Sequence, residues 1–161
     1  MPPPLDTTDW RILNELTSNG RMTNVQLAQR VGITPPPCLR RVRALEDAGI
    51  IRGYHADLDH VALGYEMTVF VMVALHSQAE TDLHSFDNMV HGWPLVRESY
   101  MMSGETDYML KCIAPSMTVF QDFLINHLSA APNVASVKTA VTIRRTKYEP
   151  GVPVDERPQA D

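Results

Sequence analysis

The chain has 161 residues, 44 % apolar and 20 % charged, with a net charge of −5. This is ordinary globular composition with room for one good core or two small ones, and it excludes a disordered chain. The longest apolar run, Val69 to Leu75, is too short to span a bilayer, and the first residues lack the basic-then-apolar order of a signal peptide, so a cytoplasmic protein with no membrane partner is expected.

The two cysteines, Cys38 and Cys112, lie far apart, with no CxxC or Cys/His ligand spacing. They predict neither a zinc site nor a disulfide framework and read as small buried hydrophobes. Charge is uneven along the chain. Residues 1–53 carry seven Arg and no Lys against five acids, net +2, and residues 54–161 carry seven Lys/Arg against fourteen acids, net −7. An acidic total argues against indiscriminate nucleic-acid binding, but an all-arginine first third suits phosphate or guanine, which the planar guanidinium grips with two parallel hydrogen bonds.

Residues 1–4 form a short proline-rich arm. Asp6 and Asp9 supply a cap and a first-turn carboxylate to a helix whose Trp10, Leu13 and Leu16 recur at helical spacing and which Gly20 stops. Thr23-Asn24-Val25-Gln26 is a capping box opening a second short helix, with Leu27 and Val31 on its apolar stripe and Gly32 at its end. Thr34 is a candidate N-cap, Pro35 suits the first helical position, and Gly49 suits the residue just past the end, which predicts a third helix over 35–48. On that helix Cys38, Leu39, Val42 and Leu45 fall on one side; Pro36, Arg40, Arg43, Ala44 and Asp47 fall on the other, with Arg41 on the flank. Helix, glycine-containing turn, helix, with a third helix in front, is the layout of a helix-turn-helix, and Ile50 to Leu58 reads as a strand or hairpin in the place of a wing.

A linker over 59–65 leads to a second domain over 66–148. Met67 to Leu75 is apolar on both sides and predicts a covered strand. Leu83, Phe86, Met89 and Val90 mark a helix ended by Gly92 and Pro94. Strands follow over Leu95 to Met102 and, after the Ser103–Thr106 turn, Asp107 to Ala114. Ser116 caps a helix with Met117, Phe120, Leu124 and Leu128 on its stripe, and Val134 to Lys147 is a last strand. The order β-α-β-β-α-β is that of a ferredoxin-like sandwich, so the whole is α+β: a winged helix-turn-helix domain over 5–58, then the sandwich, then a proline-rich acidic tail over 149–161 expected to be disordered. Both helices of such a sandwich cover one sheet face, and the apolar residues on the other predict a two-fold dimer, which a palindrome-reading helix-turn-helix also requires.

Over roughly Leu5 to Lys147 the chain resembles the Lrp/AsnC family of feast-or-famine transcription regulators. The segments that carry the resemblance are Leu5-Asp6, Asp9, Ile12-Leu13, Gly20 to Asn24, Leu27-Ala28, Val31-Gly32, Pro37 to Val42, Leu45-Glu46, Gly49 to Ile51, Tyr54, and Ser103 to Tyr108. The resemblance implies a DNA-binding N-terminal domain, and a C-terminal domain that dimerises, assembles to a tetramer, octamer or larger, and binds an amino acid, leucine or another, between dimers. The candidate DNA contacts are Asn24, Thr34, Pro36, Pro37, Arg40, Arg41 and Arg43, with bases read mainly from the first half of the third helix. Matching the family's effector region onto this chain points to Tyr100, Met101, Met102, Gly104, Glu105, Asp107, Met117, Ala140, Val141 and Thr142. A glycine turn offers N–H groups to an α-carboxylate, an acid suits an α-ammonium, and Met and Val line an apolar pocket. The chain departs from the family at Pro36, where Ser or Thr is commoner, and at Gly104-Glu105, where Gly-Asp is.

The six histidines show no i, i+4 pairing, and no Ser/His/Asp, HExxH or phosphate-loop pattern is present, so neither catalysis nor a metal is expected. The leading expectation is a sequence-specific regulator whose assembly an amino acid modulates. The alternatives are a nucleoid-type architectural DNA-binding protein without an effector, and an amino-acid-binding metabolic module.

Overall fold

The computed structural model describes residues 4–154. The parts of the expected arm and tail at 1–3 and 155–161 lie outside the described residues. The chain divides into two compact units, one running to Asp57 and joined by the chain from Lys147 onward, the other Leu58–Thr146.

The first unit is three helices: α1 (Thr7–Ser18), α2 (Asn24–Val31) and α3 (Pro35–Asp47). Each of the first two begins with a reciprocal cap. The Asp9 amide donates to the Asp6 carboxylate at 2.9 Å and the Asp6 amide to Asp9 at 3.1 Å; the Gln26 amide donates to the Thr23 hydroxyl at 3.2 Å and the Thr23 amide to the Gln26 side chain at 3.0 Å. Gly32 (φ 82°) ends α2, and Gly49 (φ 70°) takes the left-handed step after α3, conformations that cost a side-chain-bearing residue. Ile12, Leu27, Ala28, Val31, Cys38 and Leu45 form the core. Ile12 is the buried centre of α1, whereas Trp10, Leu13 and Leu16 of the expected stripe are only half-buried.

Two further expectations differ. Leu39 is exposed while Arg41 is half-buried. The arc defined by Cys38, Val42 and Leu45 puts Arg41 about 70° from its centre and Leu39 about 90° away, so the covered side reaches the arginine first. Ile50–Leu58 also forms no strand. This segment is fastened instead by side chains: Tyr54 donates its hydroxyl to Glu46 at 2.9 Å, and a Cβ on Gly20 would sit 3.4 Å from the Tyr54 ring. Burial, with Glu46 beside it, pushes the Tyr54 phenol up to about 12.

The second unit is a four-stranded antiparallel sheet with two helices: β1 (Met67–Leu75), α4 (Glu80–His91), β2 (Val96–Met101), β3 (Tyr108–Ala114), α5 (Met117–Phe123) continuing as a π turn over Leu124–Leu128, and β4 (Val134–Val141). The sheet order β2-β3-β1-β4 gives the ferredoxin-like sandwich. Val69, Val71 and Val73 of β1 and Tyr108, Leu110, Cys112 and Ala114 of β3 meet Phe86, Val90, Phe120, Phe123 and Leu128 in one core. The intervening residues, Phe70, Met72, Met109 and Ile113, lie half-buried on the face without helices. The last strand stops at Val141 rather than Lys147. Its partner β1 begins at Met67, and after the Thr142 amide has donated to the Thr68 carbonyl at 3.0 Å no ladder remains for the chain to follow.

Candidate nucleic-acid interface and ligand region

The first turn of α3 is built from Pro35, Pro36 and Pro37 behind an extended Thr34 (φ −81°, ψ 153°). Thr34 occupies the N-cap position, yet its hydroxyl makes no cap. A cap needs an N–H at the second or third helical residue, and prolines hold both. The first amide of the helix, that of Cys38, is already given to the Thr34 carbonyl at 3.3 Å. Asn24, at the start of α2, donates its side-chain amide to the Pro35 carbonyl at 2.8 Å and so ties the two helix starts together; its Oδ1 is buried without a partner.

Arg40 and Arg43 are exposed, and neither has a hydrogen bond or ion pair among the described residues. With Pro36 they fall at i, i+4 and i+7 and make one outward stripe. Arg41 is drawn the other way. A single guanidinium nitrogen, Nη1, donates to Asp6 at 2.7 Å and to Asp9 at 2.8 Å, joining α3 to the capping box of α1. The hydrogen bond from the Asp9 amide, helped by Arg41, holds the Asp6 carboxyl below the usual range, and the two carboxylates hold the Arg41 guanidinium above its own. The Asp6-x-x-Asp9 cap is visible in the sequence. Its partner thirty-two residues beyond Asp9 is not.

The ten candidate effector residues fall into two groups. Tyr100, Met101, Met102, Gly104, Glu105 and Asp107 lie at the end of β2 and the turn into β3, level with Met72 and Val73 of β1. Ala140 and Val141 pair with Phe70 and Val69 at the other edge of the sheet, and Met117 follows the same end of β3. Between Met101 and Val141 the separation is about 13 Å along the strands and about 14 Å across them, beyond the reach of one amino acid, and Met117 lies past the far end of β3. Tyr100, Met101, Met102, Met117 and Val141 are all substantially exposed.

Asp107 is a fastener within this unit. Its carboxylate accepts the Leu75 amide at 2.7 Å and the Gln78 side-chain amide at 2.6 Å, its amide donates to Val73 at 2.9 Å, and its carbonyl accepts from Met102 at 2.8 Å. Gln78 had no signal in the sequence, being joined only through tertiary structure. Gly104 (φ 139°) lies in the left-handed half of backbone space, which explains a glycine at the tip of the exposed turn. Further back along β2, Glu98 receives Lys111 and the Tyr100 hydroxyl; Lys111 first and Tyr100 second lower the Glu98 carboxyl, which in turn raises the Tyr100 phenol. Thr142 spends its hydroxyl on the Thr68 carbonyl at 3.0 Å. The described residues contain no cluster fit to hold a metal and no helix long and apolar enough to cross a membrane.

A winged helix-turn-helix DNA-binding model matches residues 5–52, and the Lrp/AsnC ligand binding domain matches residues 68–152. With the fold, these define the class: a DNA-binding transcriptional regulator carrying a separate ligand-binding domain. A leucine-responsive regulatory protein of Rhizobium meliloti is 53 % identical over 143 residues, spanning 89 % of this chain and 92 % of the relative. The bkd operon transcriptional regulator of Pseudomonas aeruginosa is 37 % identical, over 93 % and 98 %. A transcriptional regulator of Neisseria meningitidis, solved as a complex with L-Met, superposes with a TM-score of 0.90 at 35 % identity, over 94 % of this chain and 98 % of that one. The chain belongs to the Lrp/AsnC family.

Proposed function

We propose that this regulator reads duplex DNA in sequence-specific fashion with the outward stripe of α3, and that an amino acid or related small effector alters its assembly. The observation that carries the DNA reading is the pair of unpartnered guanidinium groups, Arg40 and Arg43, on a helix held out by a helix-turn-helix. Thr34, Pro36, Pro37, Arg40 and Arg43 make the contacts, while Asn24 and Arg41 set the angle of α3. In the ligand domain the effector sits between copies of the chain: Tyr100 to Met102, the Gly104-Glu105 turn and Asp107 come from one subunit, Met117 and Ala140 to Thr142 from another. Three facts support this part. The two groups are too far apart in one subunit, both expose apolar side chains, and a relative binds L-Met. The half-buried apolar face of the sheet supports a homodimer as the unit that assembles to a tetramer, octamer or larger.

The protein works in the cytoplasm and has no catalytic role in this reading, in keeping with relatives that are transcriptional regulators. Coupling requires the effector to bind one assembly better than another. Light scattering of the purified protein across a panel of amino acids, run beside binding to its own upstream DNA, tests both halves. A change of mass and of DNA affinity with one amino acid is the expected result, and DNA binding with no response to any of them overturns the effector half.

A further inference from the structure

The first turn of α3 restricts what its outward stripe can recognise. Helix starts ordinarily meet nucleic acid through free backbone N–H groups, which suit phosphate. Here Pro35, Pro36 and Pro37 remove those of the first three helical residues, and the next amide, that of Cys38, is engaged by the Thr34 carbonyl. The exposed residue of this turn that shares a side with Arg40 and Arg43 is Pro36, an apolar ring with neither donor nor side-chain acceptor. The bond from Asn24 to the Pro35 carbonyl fixes the helix start, so the ring has a set position. Among the features that base pairs show in the major groove, the C5-methyl of thymine is the apolar one.

We propose that Pro36 is a specificity-determining residue that selects thymine by packing on its C5-methyl group, one helical turn ahead of the base or phosphate met by Arg40. This rests on the DNA reading assigned to α3 above. The contact discriminates by burial rather than by hydrogen bonding, so each methyl contributes about four-fold in affinity.

The test uses the full-length protein and duplexes it recovers from a random pool. Each thymine in a recovered half-site is replaced singly by deoxyuridine, which deletes only the methyl, and binding is measured for the unaltered protein and for Pro36→Ser. The expected result is at least one thymine per half-site at which deoxyuridine weakens binding about four-fold, a penalty lost in Pro36→Ser, whose salt dependence stays that of the parent. Indifference to deoxyuridine at every thymine overturns the methyl contact while leaving the DNA reading intact, as does a penalty that survives in Pro36→Ser. Failure to recover any duplex at low salt removes the DNA reading and this inference with it.

Discussion

Arg41 and its two neighbours differ in what holds them, and that difference is measurable. Arg40 and Arg43 are open to solvent, whereas Arg41 spans Asp6 and Asp9, the latter with a side chain only 15 % exposed. Arg41→Ala is expected to lower the denaturant midpoint of the first unit and to weaken DNA binding without changing its salt slope, since no phosphate contact is lost. Titration gives a second check. The folded Asp6 carboxyl lies below its ordinary 3.8, so the folded state binds that proton less tightly than the unfolded chain. Its stabilisation is complete above about pH 3.8 and disappears as pH falls through the lower, folded value. Asp6→Asn is therefore expected to flatten the acid limb of unfolding followed by circular dichroism and to leave the neutral limb parallel to the parent's. Burial also pushes the Cys112 thiol up to about 12 and raises that of Cys38. At pH 8 both cysteines should resist iodoacetamide in the native protein and label fully in guanidinium, as read by mass spectrometry.

At the scale of elements, the starts of α1 and α2 were legible because each cap is written within four residues, Asp6 to Asp9 and Thr23 to Gln26. β1 was legible for a similar reason, since an apolar run bounded by turn signals is local. Thr34 shows where local reading misleads. It has the right residue type at the right position, but the cap fails because the partners two and three places on are prolines. The wing and the end of β4 were not legible. Whether Ile50–Leu58 pairs, or how far past Val141 pairing continues, depends on the partner available, and that is set elsewhere in the chain. The fastening of the segment after α3 yields its own prediction. Gly20→Val forces a branched side chain toward the Tyr54 ring, 3.4 Å from the first added carbon, and should destabilise the first unit by about 1–3 kcal/mol in chemical denaturation, with Tyr54→Ala in the same chain relieving part of the loss.

For the molecule as a whole, the family resemblance pointed to candidate effector residues but not to their separation. Ala140 and Val141 lie beside Phe70 and Val69, and Met101 lies level with Val73; only the sheet register places them at different edges and ends. A site made from both groups ties ligand binding to assembly, because neither group is complete alone. Glu105→Ala, in the exposed turn, and Val141→Asp, at the other group, are expected to abolish the same amino-acid response in light scattering while leaving DNA binding in place. Loss of the response in only one of the two would show that the groups serve different purposes.

Contact between DNA and the Arg40 and Arg43 side chains of α3 is read out in the salt dependence of affinity. With full-length protein and a duplex recovered from a random pool, log K against log salt should be steep for the parent. For the double variant Arg40→Ala, Arg43→Ala it should be weaker by at least about ten-fold and shallower by about 0.9 for each phosphate contact removed. Superimposable affinity and slope for the parent and the double variant would mean that α3 does not meet DNA through these two arginines.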